Sequence, residues 1–84
     1  MKDILIYTAQ RCGYCVMAKK LLDSKNATYT EINVDEQDGM REEMMQKTQR
    51  RTVPQIYIGD FHVGGFDDLN ALNKIGKLDA LLEN

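Results

Sequence analysis

The sequence predicts an α/β fold whose elements run β-α-β-α-β-β-α. Three observations predict it. Two β-branched runs in the N-terminal half, "DILIYT" and "TYTEINV", are each followed by a stretch with helical spacing. A βα repeat of this kind pairs its strands in parallel through a crossover helix. Further on, "PQIYI" and "FHVGG" are separated only by Gly59-Asp60, the pattern of an antiparallel hairpin with a two-residue turn. At 84 residues there is room for one core, so residues 1–84 are expected to form a single domain.

Each element has its own justification. "DILIYT" is almost wholly apolar, as expected of a strand covered on both faces. "YCVMAKKLLDSK" places Cys15, Ala18, Leu21 and Leu22 at helical spacing, with lysines toward the end where they suit the helix dipole. "TYTEINV" alternates, with Thr28, Thr30, Ile32 and Val34 on one face. "EQDGMREEMMQKTQ" sets Met40 and Met44 one turn apart among charges, which reads as an amphipathic helix. In it Met40, Met44 and Met45 read as core and surface filler. After the hairpin, "DDLNALNKIG" opens with acids and closes at Gly76, a suitable residue just past a helix end. "KLDALLEN" adds a further amphipathic turn or two, with Leu78, Leu81 and Leu82 facing inward.

Composition narrows the function. Apolar residues make up 43% of the chain and charged residues 29%, which is a folded rather than a disordered composition. The formal net charge is −2, from 11 basic and 13 acidic residues, and lacks the basic footprint of a nucleic-acid binder. The longest apolar run, "ILIY", is far too short to span a membrane, and "MKDILIYT" is a poor signal peptide. The expected location is the cytoplasm. In that reducing compartment a cysteine pair is more often catalytic or metal-binding than a permanent crosslink.

Both cysteines lie in "RCGYC". Cys12 falls just past the first strand and Cys15 in the first turn of the helix. Unpaired N–H groups at a helix start can stabilise a thiolate at Cys12. Cys15, three residues on, is within reach to displace whatever Cys12 has captured. A zinc site needs about four ligands, and beyond the two cysteines the chain offers a single histidine, His62. His62 itself reads as structural or exposed on the hairpin. A disulfide closing so short a loop would restrict the unfolded chain little. Two buried free thiols remain the bland alternative, less suited to a strand-to-helix junction in a βαβ pattern. The redox reading leads.

Four separated segments carry a family resemblance: "CGYC" (12–15), "REEM" (41–44), "RTVPQIYI" (51–58) and "GGFDDL" (64–69). In this order and at these distances the chain resembles the glutaredoxin family over essentially its whole length, and in particular the small bacterial dithiol members of the glutaredoxin 3 type. The resemblance implies a thioredoxin-like fold, a four-stranded mixed sheet flanked by helices, with glutathione as cosubstrate. It implies Cys12 as the nucleophile that forms a mixed disulfide with glutathione, Cys15 as the resolving thiol, and Tyr14 lining the glutathione groove. Thr52-Val53-Pro54 would be the cis-proline loop, with the Val53 backbone pairing with the cysteine residue of glutathione. Gly65, Phe66 and Asp67 would hold the γ-glutamyl end, the helix-start N–H groups meeting its carboxylate and Asp67 its ammonium. Arg41 would reach the glycine carboxylate. Taken without the resemblance, "TVP" is an ordinary strand start, Gly64-Gly65 a turn, Asp67 a helix cap and Arg41 a solvated charge.

Three positions depart from the family pattern. Ala9 stands where many members have a lysine, which leaves Arg11 as the nearest positive charge for glutathione and the thiolate. Val16 stands where a basic residue is frequent, and Gly13 replaces the proline of the commoner CPYC. The function expected is glutathione-dependent reduction of glutathione mixed disulfides and protein disulfides by a monomer. Two alternatives accompany it. Loss of the proline is associated in the family with a two-iron two-sulfur cluster bridging two protomers, with Cys12 of each and two glutathione molecules as ligands. The other is an electron donor to ribonucleotide reductase served by thioredoxin reductase.

Overall fold

The computed structural model describes residues 2–83. The ends of the expected domain, Met1 and Asn84, and with Asn84 the last residue of the expected final turn, lie outside the described residues. Strand β1 (Ile4–Thr8) is central: it pairs in parallel with β2 (Thr30–Asn33) and antiparallel with β3 (Gln55–Ile58). β3 pairs antiparallel with β4 (Phe61–Gly64), giving the order β2-β1-β3-β4. The mixed sheet expected from the βα repeat and the hairpin is therefore present.

The period of two along β1 and β3 divides the core into two halves. Ile4, Ile6, Ile56 and Ile58 point to one face, where they meet Ala18 and Leu22 of α1 (Gly13–Ser24), Leu69 of α3 (Phe66–Lys74) and Leu78 and Leu82 of α4 (Lys77–Glu83). Tyr7 and Tyr57 point to the other face, with Val34 and Met44 of α2 (Met40–Thr48). Because both faces are covered, β1 carries an apolar run instead of an alternating one. Glu31 of β2 links the layers: it accepts from Thr8 Oγ1 at 2.7 Å and pairs with Lys19 Nζ of α1 at 3.1 Å. The Thr8 hydroxyl first, and then Lys19, hold its carboxyl below the usual range.

The structure refines three boundaries. α2 begins at Met40, not at Glu36, because residues 35–38 form a turn that leads into Gly39 at φ 79°. Thr28 and Thr30 are exposed while Ile32 and Val34 pack against α2, so the expected face of β2 is covered only at its far end. The last turns form a separate helix, α4, set off from α3 by Gly76 at φ 80°.

Candidate active site

The connection from β1 to α1 delivers Cys12. The Gln10 N–H donates to Asp35 Oδ2 at 3.0 Å, which ties this loop to the segment after β2. Arg11 adopts a left-handed conformation, φ 55°, and the chain then turns into Cys12, the extended N-cap residue of α1. Its side chain serves as the cap: Sγ accepts from the Cys15 N–H at 3.1 Å. That donor is one of the free N–H groups of the helix start, where negative charge is favoured. The first turn of α1 contains no acidic residue to oppose such charge.

The two cysteines are joined as a disulfide with their Cα atoms 5.2 Å apart, inside the range that bond requires. Their environments differ. Cys15 is 2% exposed and packs inward with Ala18 and Leu22, whereas Cys12 is only half-buried. An incoming sulfur meets Cys12 first.

Beside Cys12 lies the loop before β3. The Val53–Pro54 peptide is cis, and the Val53 carbonyl oxygen lies 3.7 Å from Cys12 Sγ. A cleft of about 310 Å³ opens here, within the range of small-molecule sites. One wall is Tyr14, 61% exposed, whose ring stacks on Phe66 with centroids 6.3 Å apart. The other is the loop of Thr52, Val53 and Pro54, and the floor is the start of α3 at Gly65, Phe66 and Asp67.

Seven of the residues marked from sequence thus come together: Tyr14, Thr52, Val53, Pro54, Gly65, Phe66 and Asp67. Arg11 and Arg41 do not line this cleft. Arg41 pairs instead with Asp35, Nη2 to Oδ1 at 2.8 Å, and that guanidinium, followed by the Gln10 N–H, holds the Asp35 carboxyl below its usual range. Ala9, in the place of the absent lysine, packs against the half-core under α2.

Two more residues line the cleft: Arg50, which escaped the sequence reading, and Asp68, marked there only as one of the acids of "GGFDDL" that open the helix. Asp68 Oδ2 accepts from the Gly65 N–H at 2.9 Å and from Arg50 Nη1 at 3.1 Å. The Gly65 N–H first, and Arg50 after it, keep its carboxyl below the usual range. Gly64 is what allows this packing. At φ 110° it adopts a conformation that L side chains avoid, and a Cβ there would collide with the Asp68 carboxylate and crowd Arg50. The signal for Asp68 was present in the sequence: an acid three residues after a helix-start glycine is the reach-back half of a capping box. For Arg50, one of two adjacent arginines, no such signal exists.

Comparison with known proteins agrees with this geometry. The family model described as glutaredoxin matches residues 4–63. The chain is 50% identical over 82 residues to a glutaredoxin of Pseudomonas aeruginosa, covering 98% of each chain. It is 47% identical over 83 residues to glutaredoxin 3 of Escherichia coli, covering 99% of this chain and all of that one. Among solved structures, a buckwheat glutaredoxin–glutathione complex superposes with a TM-score of 0.89 at 34% identity, covering 96% of this chain and 76% of that one.

Proposed function

The chain belongs to the glutaredoxin family, with its thioredoxin-like fold and thiol–disulfide oxidoreductase activity, and we propose that it runs this chemistry on glutathione held in the cleft beside Cys12. The observation that carries the reading is the meeting of an accessible sulfur with a backbone carbonyl of the loop that ends in cis-Pro54. Cys12 Sγ lies 3.7 Å from the carbonyl oxygen of Val53, which lines the cleft, so a peptide pairing with Val53 brings its own cysteine to Cys12.

The reaction follows from the asymmetry of the thiols. In the reduced protein the Cys12 thiolate attacks the glutathione sulfur of a mixed disulfide. A Cys12–glutathione disulfide forms, and the partner leaves as a thiolate that takes up a proton. A second glutathione thiolate then attacks the bound glutathione sulfur, releasing oxidised glutathione and the Cys12 thiolate. With a protein disulfide, Cys15 attacks Cys12 Sγ from below, freeing the substrate as a dithiol and leaving the Cys12–Cys15 disulfide seen here. Two glutathione molecules reduce it.

Within the cleft, the free N–H groups at the start of α3 suit the γ-glutamyl carboxylate and Asp67 suits its ammonium. Arg50 neutralises Asp68, so a carboxylate arriving there does not face two uncompensated acids. Arg41 is outside the lining and already paired with Asp35, so Arg11, also outside the lining, is left as the outer cation that draws in an anionic tripeptide. In this reading residues 1–84 act as one cytoplasmic domain. Its protein substrates are glutathionylated proteins and enzymes that form a disulfide in turnover, ribonucleotide reductase being one candidate. Among the described residues no helix is long and apolar enough to cross a membrane.

The test is which reductant regenerates the dithiol. With the mixed disulfide of glutathione and 2-mercaptoethanol as substrate, glutathione plus glutathione reductase should sustain NADPH oxidation. Thioredoxin reductase alone should not, and the opposite result overturns the proposal.

A second reading rests on Gly13. A Cβ there would meet nothing within 4 Å, so packing does not demand glycine and the space beside Cys12 is open. A two-iron two-sulfur cluster needs four thiolates. One protomer does not fit it: Cys15 is buried, and among the described residues no group of three or more His, Cys, Asp or Glu could hold a metal. The ligands would have to be Cys12 of two copies and two glutathione molecules. Anaerobic reconstitution with glutathione should then give visible absorption and a doubled mass, and a colourless monomer removes this reading.

A further inference from the structure

Gln55 is a buried polar side chain with no part in the chemistry above. It opens β3 directly after Pro54, is 0% exposed, and precedes the apolar residues Ile56, Tyr57 and Ile58. A leucine or methionine would fill such a site without the cost of burying an amide. The amide is tolerated because both of its ends are bonded. Gln55 Oε1 meets His62 Nε2 of β4 at 2.8 Å, and Gln55 Nε2 donates to Thr52 Oγ1 at 3.3 Å.

The directions of these bonds are fixed by what each atom can do. An amide oxygen has no proton, so the His62 nitrogen facing it carries one and donates. That turns the amide nitrogen toward Thr52, whose hydroxyl oxygen accepts from behind. The hydroxyl proton is left free to be donated into the cleft that Thr52 lines. His62 is itself held by stacking on Tyr57, ring centroids 4.8 Å apart at 23°. The chain of contacts therefore runs from β4 through β3 to the residue adjoining Val53.

We propose that Gln55 and His62 are positioning residues: they orient the Thr52 hydroxyl as a donor to a carbonyl or carboxylate oxygen of the substrate and steady the Val53 backbone beside Cys12. This rests on the glutathione reading above. It adds to that reading two side chains outside the cleft that set the affinity of the site.

Steady-state kinetics with the glutathione–mercaptoethanol mixed disulfide tests it, on the wild type, Gln55→Met, His62→Phe and the double variant. Methionine keeps the buried volume, and phenylalanine keeps the stack on Tyr57. Gln55→Met should raise KM about fivefold, the worth of one hydrogen bond, with kcat within about twofold. His62→Phe should raise KM less, and the double variant should match Gln55→Met because both act through one chain of bonds. A merely structural role would lower thermal stability without this split. Unchanged KM in both single variants, multiplied effects in the double variant, or a fall in kcat alone each overturns the proposal. Should Gln55→Met not fold, His62→Phe on the half-buried hairpin decides by the same criterion. A wild type that turns over without any dependence on glutathione fails the glutathione reading instead, and the two failures are thereby distinguished.

Discussion

The hollow at the start of β1 measures about 670 Å³, and the cleft at the opposite end of the sheet about 310 Å³. The larger one is lined by Lys2, Asp3, Thr28, Lys47 and Tyr57 among others. Of its charges, Lys47 is engaged by an aromatic face, with Nζ 4.3 Å above the Tyr57 ring, and neither cysteine lines the hollow. The smaller one has Cys12 next to its Val53 wall, 3.7 Å from the carbonyl oxygen, and the start of α3 as its floor. The difference comes from chain direction. A helix that follows a strand begins where the strand ends, so the free N–H groups of α1 and α3 gather at the cleft and leave the far hollow without them. Volume is a poor guide here, and the direction of the backbone is a good one.

The sharpest way to break this comparison is at the sulfurs. Cys12→Ser should abolish turnover of a glutathione mixed disulfide, by roughly a thousandfold or more. Cys15→Ser should retain it within a few-fold while losing reduction of protein disulfides, because only the latter needs the second thiol. Equal losses in the two variants would remove the assigned roles.

A smaller effect is expected at Asp68, which caps α3 and pairs with Arg50 at the edge of the cleft. Its carboxyl is held below the ordinary range in the fold. The stability it adds is therefore fully present above the unfolded carboxylate range, near pH 4, and is lost as pH falls through the lower folded value. Asp68→Asn should cost about 1 kcal/mol or less at pH 7, since the pair is half-exposed and screened. Urea unfolding at stepped pH should show that gap closing below about pH 4, and a gap that persists to pH 2 would contradict the assignment. The smallest effect belongs to the far hollow. Lys47→Met gives up the contact with Tyr57, about 0.5–1 kcal/mol, and should leave turnover unchanged. A measurable loss of activity would mean that the two ends communicate.

Much of this was legible in the sequence, for identifiable reasons. Cys12 and Cys15 could be placed because their spacing coincided with a strand-to-helix junction, where the physics of the helix start gives the pair a use. The sheet order could be reasoned from βα succession and a two-residue hairpin turn. The cleft was a different matter. Thr52, Val53, Gly65 and Asp67 have ordinary local meanings, and only their combined resemblance to a family pattern marked them. Arg50 and Arg51 are indistinguishable in a sequence, and only the fold brings one of them to Asp68. Arg41 is paired with Asp35 across a turn, a contact that no helical spacing encodes. Gln55 did leave a trace, as a lone polar residue in an apolar strand, but its partners come from two other segments and cannot be named without coordinates.

The burial of Cys15 has a consequence for how the protein meets the rest of the cell. Only one of its two sulfurs faces outward, so a passing oxidant or alkylating reagent can address the reduced protein at a single point. To the outside the dithiol counts as one thiol. Its second equivalent is a private reserve, called on from within the fold after the first has been engaged.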